Sequence, residues 1–554
     1  MVLKINYVGC YAWYQNRNTV DVIEWYELNE PEVFRKMDYM AVDGGTNEEG
    51  TVYFEYISIS KNIFEILANS IENKTIKRII FNNKSFSSIS SLLFTAENKT
   101  IELIVDESSG FYIVKEIYKD GFGEFPMRIF KYLIDGLDKA GFKKIWKFYI
   151  KVWYLMEIKG EYCVAKIHAS IIDDVTKAQV EELMNQSFVT GSNVRIMPDC
   201  HAGVGCVIGT TMDVKDCCVP NLVGVDIGCG MLTVKLGKMK IELAKLDSYI
   251  IKNIPCGENV YNHTIDSNVD ITKLYCYEAL NHKKRLHSSI GTLGGGNHFI
   301  EIDIDEKNNL YLVIHTGSRN LGKQVCELYM KRAKNRLMDK MYSEIKNKVE
   351  YLKNNDKHNL IQSEIDKIKQ KYDLINKSLI PLYGDDLKDY LHDMKICQDF
   401  AWENREAIAT KILNYLGLKF NKSNHFHTVH NYINMNDMIL RKGAISAYKN
   451  ELVLIPINMR DGAIIGKGKG NADYNYSAPH GAGRILSRLK AKKELSLTDY
   501  KKSMKGIYSS CICFDTLDES PFVYKPIEEI LPNITETVDV IKIIKPIYNF
   551  KAKE

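Results

Sequence analysis

Asp226 and Cys229 stand in the segment GVDIGCGM, His298 in LGGGNHFIE, His315 in HTGSRNLG, His430 in VHNYI and His480 in SAPHGAGR. Glycine lets backbone approach a ligand closely, and carboxylate, thiolate and imidazole are metal ligands or nucleophiles. The turn around Asp226 and Cys229, bracketed by Gly224, Gly228 and Gly230, can aim a carboxylate and a thiolate into one small volume. A thiolate has several lone pairs and can bridge two cations. Imidazoles from His298, His315 and His430 would then complete two partly open coordination shells. Open shells suit phosphoryl chemistry, with one phosphate oxygen on each ion. A closed structural zinc site would draw on paired C-x-x-C ligands, whereas these donors are mixed and scattered along the chain.

His425, His427 and His430 lie close together. In a strand, residues 425 and 427 share a face and 430 takes the other. Only His430 is followed by an asparagine, Asn431, so His430 is the expected ligand. His425 and His427 stay open between ligand and structural roles. Cys206, Cys217 and Cys218 read as buried small hydrophobes. His480 has no metal-type neighbour in sequence; it is followed by two glycines and then by Arg484 and Arg488 at helical spacing. A helix start there would offer free amides to a phosphate, and the two arginines would add bidentate charge. A histidine so placed suits covalent transfer of a phosphoryl or nucleotidyl group, the alternative being a helix cap. Arg319, Arg441 and Lys442 supply further cations. Glu301, three residues after His298, matches the adjacent N–H donors of a guanine edge; otherwise it is a surface strand residue.

These side chains need elements to hold them. A chain of 554 residues exceeds the usual single core, so two or three domains are expected. Apolar content of 45% supports burial, and 74 basic against 70 acidic residues leave a net charge of only +4, so any polyanion site must be local. Thirteen cysteines at irregular spacing, with no apolar leader, imply cytosolic thiols and a cytoplasmic protein. No run nears the roughly 18 apolar residues that span a bilayer. Residues 1–155 are rich in aromatic and β-branched side chains without glycine-dense motifs, and form a separate α/β-type extension. Within it, Trp146, Tyr149, Ile150 and Trp153 are spaced as in an amphipathic helix over 142–155. A new texture begins at Met156. Short β-like runs punctuated by glycine continue to about residue 320, a helical insertion is expected over 323–395, a further helix follows, and glycine-rich β texture returns from Met438 to Gly470. The pattern is α+β.

The strings MPDCHAGVGCVIGTT, VGVDIGCGM, LGGGNHFIEI, IHTGSRNLG, VHNYI, RKGAISA, SAPHGAGRILSR and VYKPIEEI occur in this order. Together they resemble the RtcB family of RNA-splicing ligases, from about Met156 to Lys551. The resemblance implies a mixed β-sheet core with peripheral helices over 156–554. It implies joining of RNA 2′,3′-cyclic phosphate or 3′-phosphate ends to 5′-hydroxyl ends, using GTP and two Mn2+ ions, in RNA repair or tRNA splicing. By that analogy His480 is the guanylylated nucleophile, and Asp226, Cys229, His298, His315 and His430 hold the metals. The guanylate pocket would map onto Asn297, His298, Phe299, Ile300, Glu301, His430, Asn431, Pro456, Ile457, Asn458, Met459, His480, Gly481, Ala482, Gly483 and Lys551. Arg319, Lys442, Arg484 and Arg488 would offset charge at phosphorus. An archease-like activator is a possible partner.

Two departures stand out. Many family members carry PGSM where this chain has Pro456 to Met459, so the serine contact to guanine is replaced by Asn458 or lost; PINMRDG resembles a bacterial subgroup. Residues 1–155 have no counterpart in the family. Competing readings are a metal-dependent phosphohydrolase that opens cyclic phosphates without joining ends, and a non-catalytic protein that binds RNA ends.

Overall fold

The segment FIEIDI alternates apolar and acidic residues, and it forms the strand Phe299–Ile304. Ile300 and Ile302 lie on one face, in a core that also holds Leu232, Val234, Leu312 and Ile314. Phe299 lies on the other, with Met231, Tyr311 and Val313, as the two-residue period of a strand requires. The computed structural model describes residues 156–552 apart from 170, 171 and 422, and before them only a set of strands. The chain divides into two units, Met1–Tyr154 and Leu155–Glu554.

In the first unit the described residues pair as a hairpin, Trp13–Asn16 with Thr19–Val22, and as a five-stranded sheet. That sheet runs Ile79–Asn82, Ile89–Ala96, Lys99–Asp106, Phe111–Tyr118 and Lys143–Lys144. Of the helix expected over 142–155, Lys143 and Lys144 instead pair in parallel with Phe111 and Tyr112; Trp146, Tyr149, Ile150 and Trp153 lie outside the described residues.

The second unit is α+β. One sheet has six strands, in the order Asn431–Asn434, Ile439–Lys442, Ile208–Asp213, Arg195–His201, Val164–Ile167 and Met156–Lys159. The other has seven: His425–Val429, Gly230–Gly237, Leu310–Thr316, Phe299–Ile304, Val538–Lys551, Gly462–Gly468 and Leu452–Asn458. This second sheet curls until its outermost strands meet, where the Leu454 N–H donates to Thr428 Oγ1 at 3.1 Å.

Helix Gly384–Tyr415 covers one face of the curled sheet with Ile408, Ala409, Ile412 and Leu413, a 3–4 spacing that keeps one stripe inward. Each isoleucine or leucine of that stripe contributes roughly 1.5–3 kcal/mol by leaving water. Helix Arg319–Asn354 buries Leu321, Val325, Tyr329 and Ala333 at four-residue intervals. Its later turns are held mainly by Met341 against Ile368 and Tyr372 of helix Ile361–Asp373. The helical excursion therefore begins at Arg319, directly after the HTGS turn, and the helix from Gly384 runs unbroken through the segment that the sequence divided at 395.

Candidate functional site

The turn between Gly224 and Gly230 is pinned from below and from the side. Cys229 N–H donates to Asp226 O, Gly228 N–H to Asn431 O, and His430 N–H to Cys229 O. The Asn431 side chain bridges the same region, donating to Asp226 O at 3.2 Å and accepting from Gly443 N–H at 3.0 Å. Space is tight at Gly317, where a Cβ would overlap the Asp226 carboxylate and force it to move.

Residues far apart in sequence meet above this turn. Asp226 Oδ2 is 3.0 Å from His298 Nε2, and Cys229 Sγ is 3.5 Å from His298 Nε2 and 3.3 Å from His315 Nε2. Asp226, Cys229 and His298 form one convergent donor set and Cys229, His315 and His430 another, with Cys229 common to both. The histidines are oriented from behind: His298 Nδ1 by Leu293 O at 2.9 Å, and His315 Nδ1 by Asn297 O at 3.1 Å. Such backing selects the tautomer with a free Nε2 lone pair. Two buried atoms are left without partners, Asp226 Oδ1 and His430 Nδ1. A pair of divalent cations fits this donor set: soft and borderline ligands, a shared sulfur, and orphaned lone pairs.

The electrostatics agree. Burial pushes His315 and His430 well below the usual imidazole range, so both are neutral donors. Burial and then Asp226 push the Cys229 thiol up, a preference that a bound cation would invert. Burial also opposes the Asp226 charge, but His298 and Arg319 outweigh it and the carboxyl ends lower than usual. Arg405, absent from the sequence reading, is fully buried and donates through Nη1 to Gly228 O and Thr316 O, each at 2.8 Å. It stiffens the backbone beside Cys229 and His315.

His480 comes to the edge of this cluster. Its ring centroid is 5.0 Å from that of His430, itself 5.2 Å from His315. Asp199 Oδ2 lies 2.7 Å from His480 Nδ1, close in distance but outside hydrogen-bond geometry, and it accepts the backbone N–H of His480 and of Gly481. Negative charge that close to Nδ1 favours the ring proton on that nitrogen, the tautomer in which Nε2 keeps a nucleophilic lone pair. Asp199 received no role from the sequence; a carboxylate two residues before His201 in MPDCHAG was the signal available.

The phosphate-binding helix start expected at His480 is not formed. Helix Arg488–Glu494 begins eight residues later, capped by Ser487, and Arg484 is bridged to Tyr524. The amides of residues 480 and 481 serve Asp199, and Gly483, at φ +77°, packs 2.6 Å (as a Cβ) from Asp199 O. Arg484 and Arg488 instead meet at Glu519, 3.1 and 2.9 Å away, which also holds Lys551 at 2.9 Å. Burial alone would raise the Glu519 carboxyl, but these three cations bring it to about 2.

The remaining expected residues separate. Asn297 holds His315 and, at 3.5 Å, Lys551 through its carbonyl. The Lys551 ammonium stands 5.3 Å over the Phe299 ring. Glu301 is no surface residue: it is 4% exposed, bonded to the Asn549 side chain, and raised by burial together with Asp303 on the same strand face. Ile300 points the other way, into the core beneath the helix, so only its backbone can meet a ligand. A Cβ on Gly481 would sit 3.3 Å from Pro456 O, which joins the Pro456 loop to the histidine turn. Ile457 and Ala482 share a core cluster, and Met459 receives the Tyr500 hydroxyl. Asn458 spends its side chain within its own turn, accepting from the N–H groups of Arg460 and Asp461 and donating to Asp461 Oδ2. Arg319, at a positive φ of 59°, reaches Gly257 O and Thr292 Oγ1. Lys442 is buried against Cys206 Sγ and Asn221 O. Arg441 lies outside the site, tied to Ser477 and Tyr448.

A curled sheet and a facing sheet thus frame a largely buried thiol, carboxylate and histidine cluster with a further histidine beside a carboxylate at its rim, an arrangement able to hold divalent cations next to a nucleophile. The family model described as tRNA-splicing ligase RtcB matches residues 179–278 and 276–552, and the chain belongs to that family. It is similar to the RNA-splicing ligase RtcB of Escherichia coli (strain K12), 27% identical over 396 residues, 65% of this chain and 90% of the relative. It is likewise similar to the tRNA-splicing ligase RtcB of Nanoarchaeum equitans, 26% identical over 445 residues, 63% of this chain and 85% of the relative. No helix among the described residues is long and apolar enough to cross a membrane.

Proposed function

We propose that this protein is an RNA ligase that uses GTP to join a 2′,3′-cyclic phosphate or 3′-phosphate end to a 5′-hydroxyl end through a guanylylated His480. The observation that carries this reading is the placement of His480: one ring away from the Cys229-centred donor set, with Asp199 at Nδ1. Membership of a family whose relatives are named RNA-splicing and tRNA-splicing ligases supports the substrate class.

Asp226, Cys229, His298, His315 and His430 would hold two divalent cations, manganese by family resemblance. Bound there, such ions would supply charge neutralisation at the reacting phosphorus. His480 Nε2 attacks the α-phosphate of GTP, a bond to the histidine forms and pyrophosphate leaves. Asp199 keeps the Nδ1 proton in place and stabilises the positive charge that develops on the ring. Water opens a cyclic end to a 3′-phosphate and a 2′-hydroxyl, the guanylate then passes to the RNA 3′-phosphate, and attack by the 5′-hydroxyl joins the ends and releases GMP. Glu301 faces the base edge, while Lys551 and the neighbouring arginines hold positive charge around Glu519 and the phosphates. An archease-like activator remains a candidate partner of this cycle.

The test is incubation with α-labelled GTP and manganese, followed by acid and neutral quench, and by ligation of a nicked RNA stem-loop. Wild-type protein should retain an acid-labile label that His480→Ala lacks. Opening of cyclic phosphate by both proteins, with no label and no joined product, would instead establish a phosphohydrolase.

A further inference from the structure

A second set of donors converges on the far side of Arg405, where strand His425–Val429 runs beside helix Gly384–Tyr415. Glu406 Oε1 is 3.7 Å from His425 Nε2 and 3.5 Å from His427 Nε2, and the three ligand atoms lie within 4.8 Å of one another. A tetrahedral ion with bonds of ~2.0–2.2 Å has donor–donor edges of roughly 3.3–3.6 Å, close to both separations. The histidine side chains are 9% and 1% exposed and that of Glu406 is 33% exposed, so the cluster is closed on the protein side and open to water on one side.

Every donor is aimed by a neighbour. His425 Nδ1–H donates to Asn421 O at 2.8 Å, which leaves the Nε2 lone pair facing Glu406. Trp402 Nε1–H donates to Glu406 Oε1 at 3.0 Å, and its indole stacks on His427 at 3.5 Å and 15°. Arg405 Nε–H donates to His427 Nδ1 at 3.3 Å. The buried His427 Nε2 has no hydrogen-bond partner, its approach to Glu406 notwithstanding. With Nδ1 accepting from Arg405, Nε2 carries the ring proton in the metal-free protein, so an N–H is left buried without a partner at the edge of the three-donor cluster. The carbonyl behind His425 is the backing that metal centres use to free an Nε2 lone pair, while the indole fixes Glu406 and the guanidinium fixes the His427 ring.

We propose that Glu406, His425 and His427 bind a zinc-class divalent ion, with water in the remaining position. Two imidazoles and one carboxylate select zinc, cobalt or nickel over magnesium or calcium. In the metal-free protein the Arg405 contact places the His427 ring proton on Nε2. Loading releases that proton to solvent, and the Arg405 guanidinium balances the charge left on the ring. The ion ties the strand to the helix. Through Arg405, which also holds Gly228 O and Thr316 O, it steadies the backbone that carries Cys229 and His315. The site stands on its own geometry and does not depend on the RNA-ligase reading.

The experiment uses the full chain, stripped with a chelator and titrated with cobalt(II). Cys229→Ser serves as background, because it removes the thiolate-to-cobalt charge-transfer bands of the inner cluster. Added to that background, Glu406→Gln or His425→Ala should abolish one cobalt equivalent by elemental analysis, together with the part of the thiolate-free absorption that this equivalent carries. Zinc should raise the melting temperature of the background protein by more than that of the double variant. Equal metal content and equal melting shifts with and without Glu406→Gln would overturn the proposal. Circular dichroism of the stripped proteins checks folding; should His425→Ala unfold, the partly exposed Glu406 carries the comparison.

Discussion

At the scale of single residues, Asp199 and Glu519 carry the sharpest expectations. Asp199→Asn keeps an oxygen for the amides of His480 and Gly481 but takes the negative charge from His480 Nδ1. The initial rate of acid-labile labelling by GTP should fall by about 10²-fold or more, the range seen when an orienting carboxylate or general base is lost, while the melting temperature changes little. Glu519 titrates near 4.5 in an unfolded chain and at about 2 in the folded one, its three cations overcoming burial. A depressed carboxyl contributes stability that is complete above 4.5 and is lost as pH falls from there through 2. The shift corresponds to on the order of 3 kcal/mol. Wild type and Glu519→Gln, compared by denaturant melts across that interval, should differ most at neutral pH and converge near pH 2; a constant offset would mean that the ion cluster does not set the acid limb.

At the scale of elements, the turns do the placing and the core supplies the rigidity. Gly317 follows the strand Leu310–Thr316 and leaves no room for a methyl group beside Asp226. Gly317→Ala should displace that carboxylate, weaken manganese binding by tenfold or more as read by calorimetry on the stripped protein, and leave the circular dichroism spectrum intact. Ile408 presses helix Gly384–Tyr415 onto the curled sheet; Ile408→Ala should cost about 2–5 kcal/mol in a urea melt. Periodicity made these elements readable: alternation in FIEIDI and the four-residue stripe from Leu321 are local properties. The segment after His480 misleads for an equally physical reason. Arg484 and Arg488 stand at helical spacing, but the backbone between them is committed elsewhere. Tyr524 bridges Arg484 and the Ile485 N–H donates to Val523 O, while Asp199 takes the preceding amides of His480 and Gly481, all contacts with distant segments.

At the scale of the whole molecule, every candidate site residue and the cores that support them lie in Leu155–Glu554. A chain beginning at Met156 should therefore fold, accept the label from GTP and join nicked RNA at a rate within a few-fold of the full protein. Loss of folding, rather than of rate alone, would show that the first unit is needed for stability. The glycine-bracketed donors, the α+β texture and the family likeness were all legible in the sequence, because residue type, spacing and ordered motifs are properties of the chain itself. Tertiary structure alone decided that His298 joins Asp226 on one side of Cys229 and His315 joins His430 on the other, that Asp199 stands behind His480, and that Glu301 is buried. It likewise decided that Glu406 meets His425 and His427. Each depends on distances between residues tens to hundreds of positions apart, and only the packing of strands and helices around a common core sets those distances.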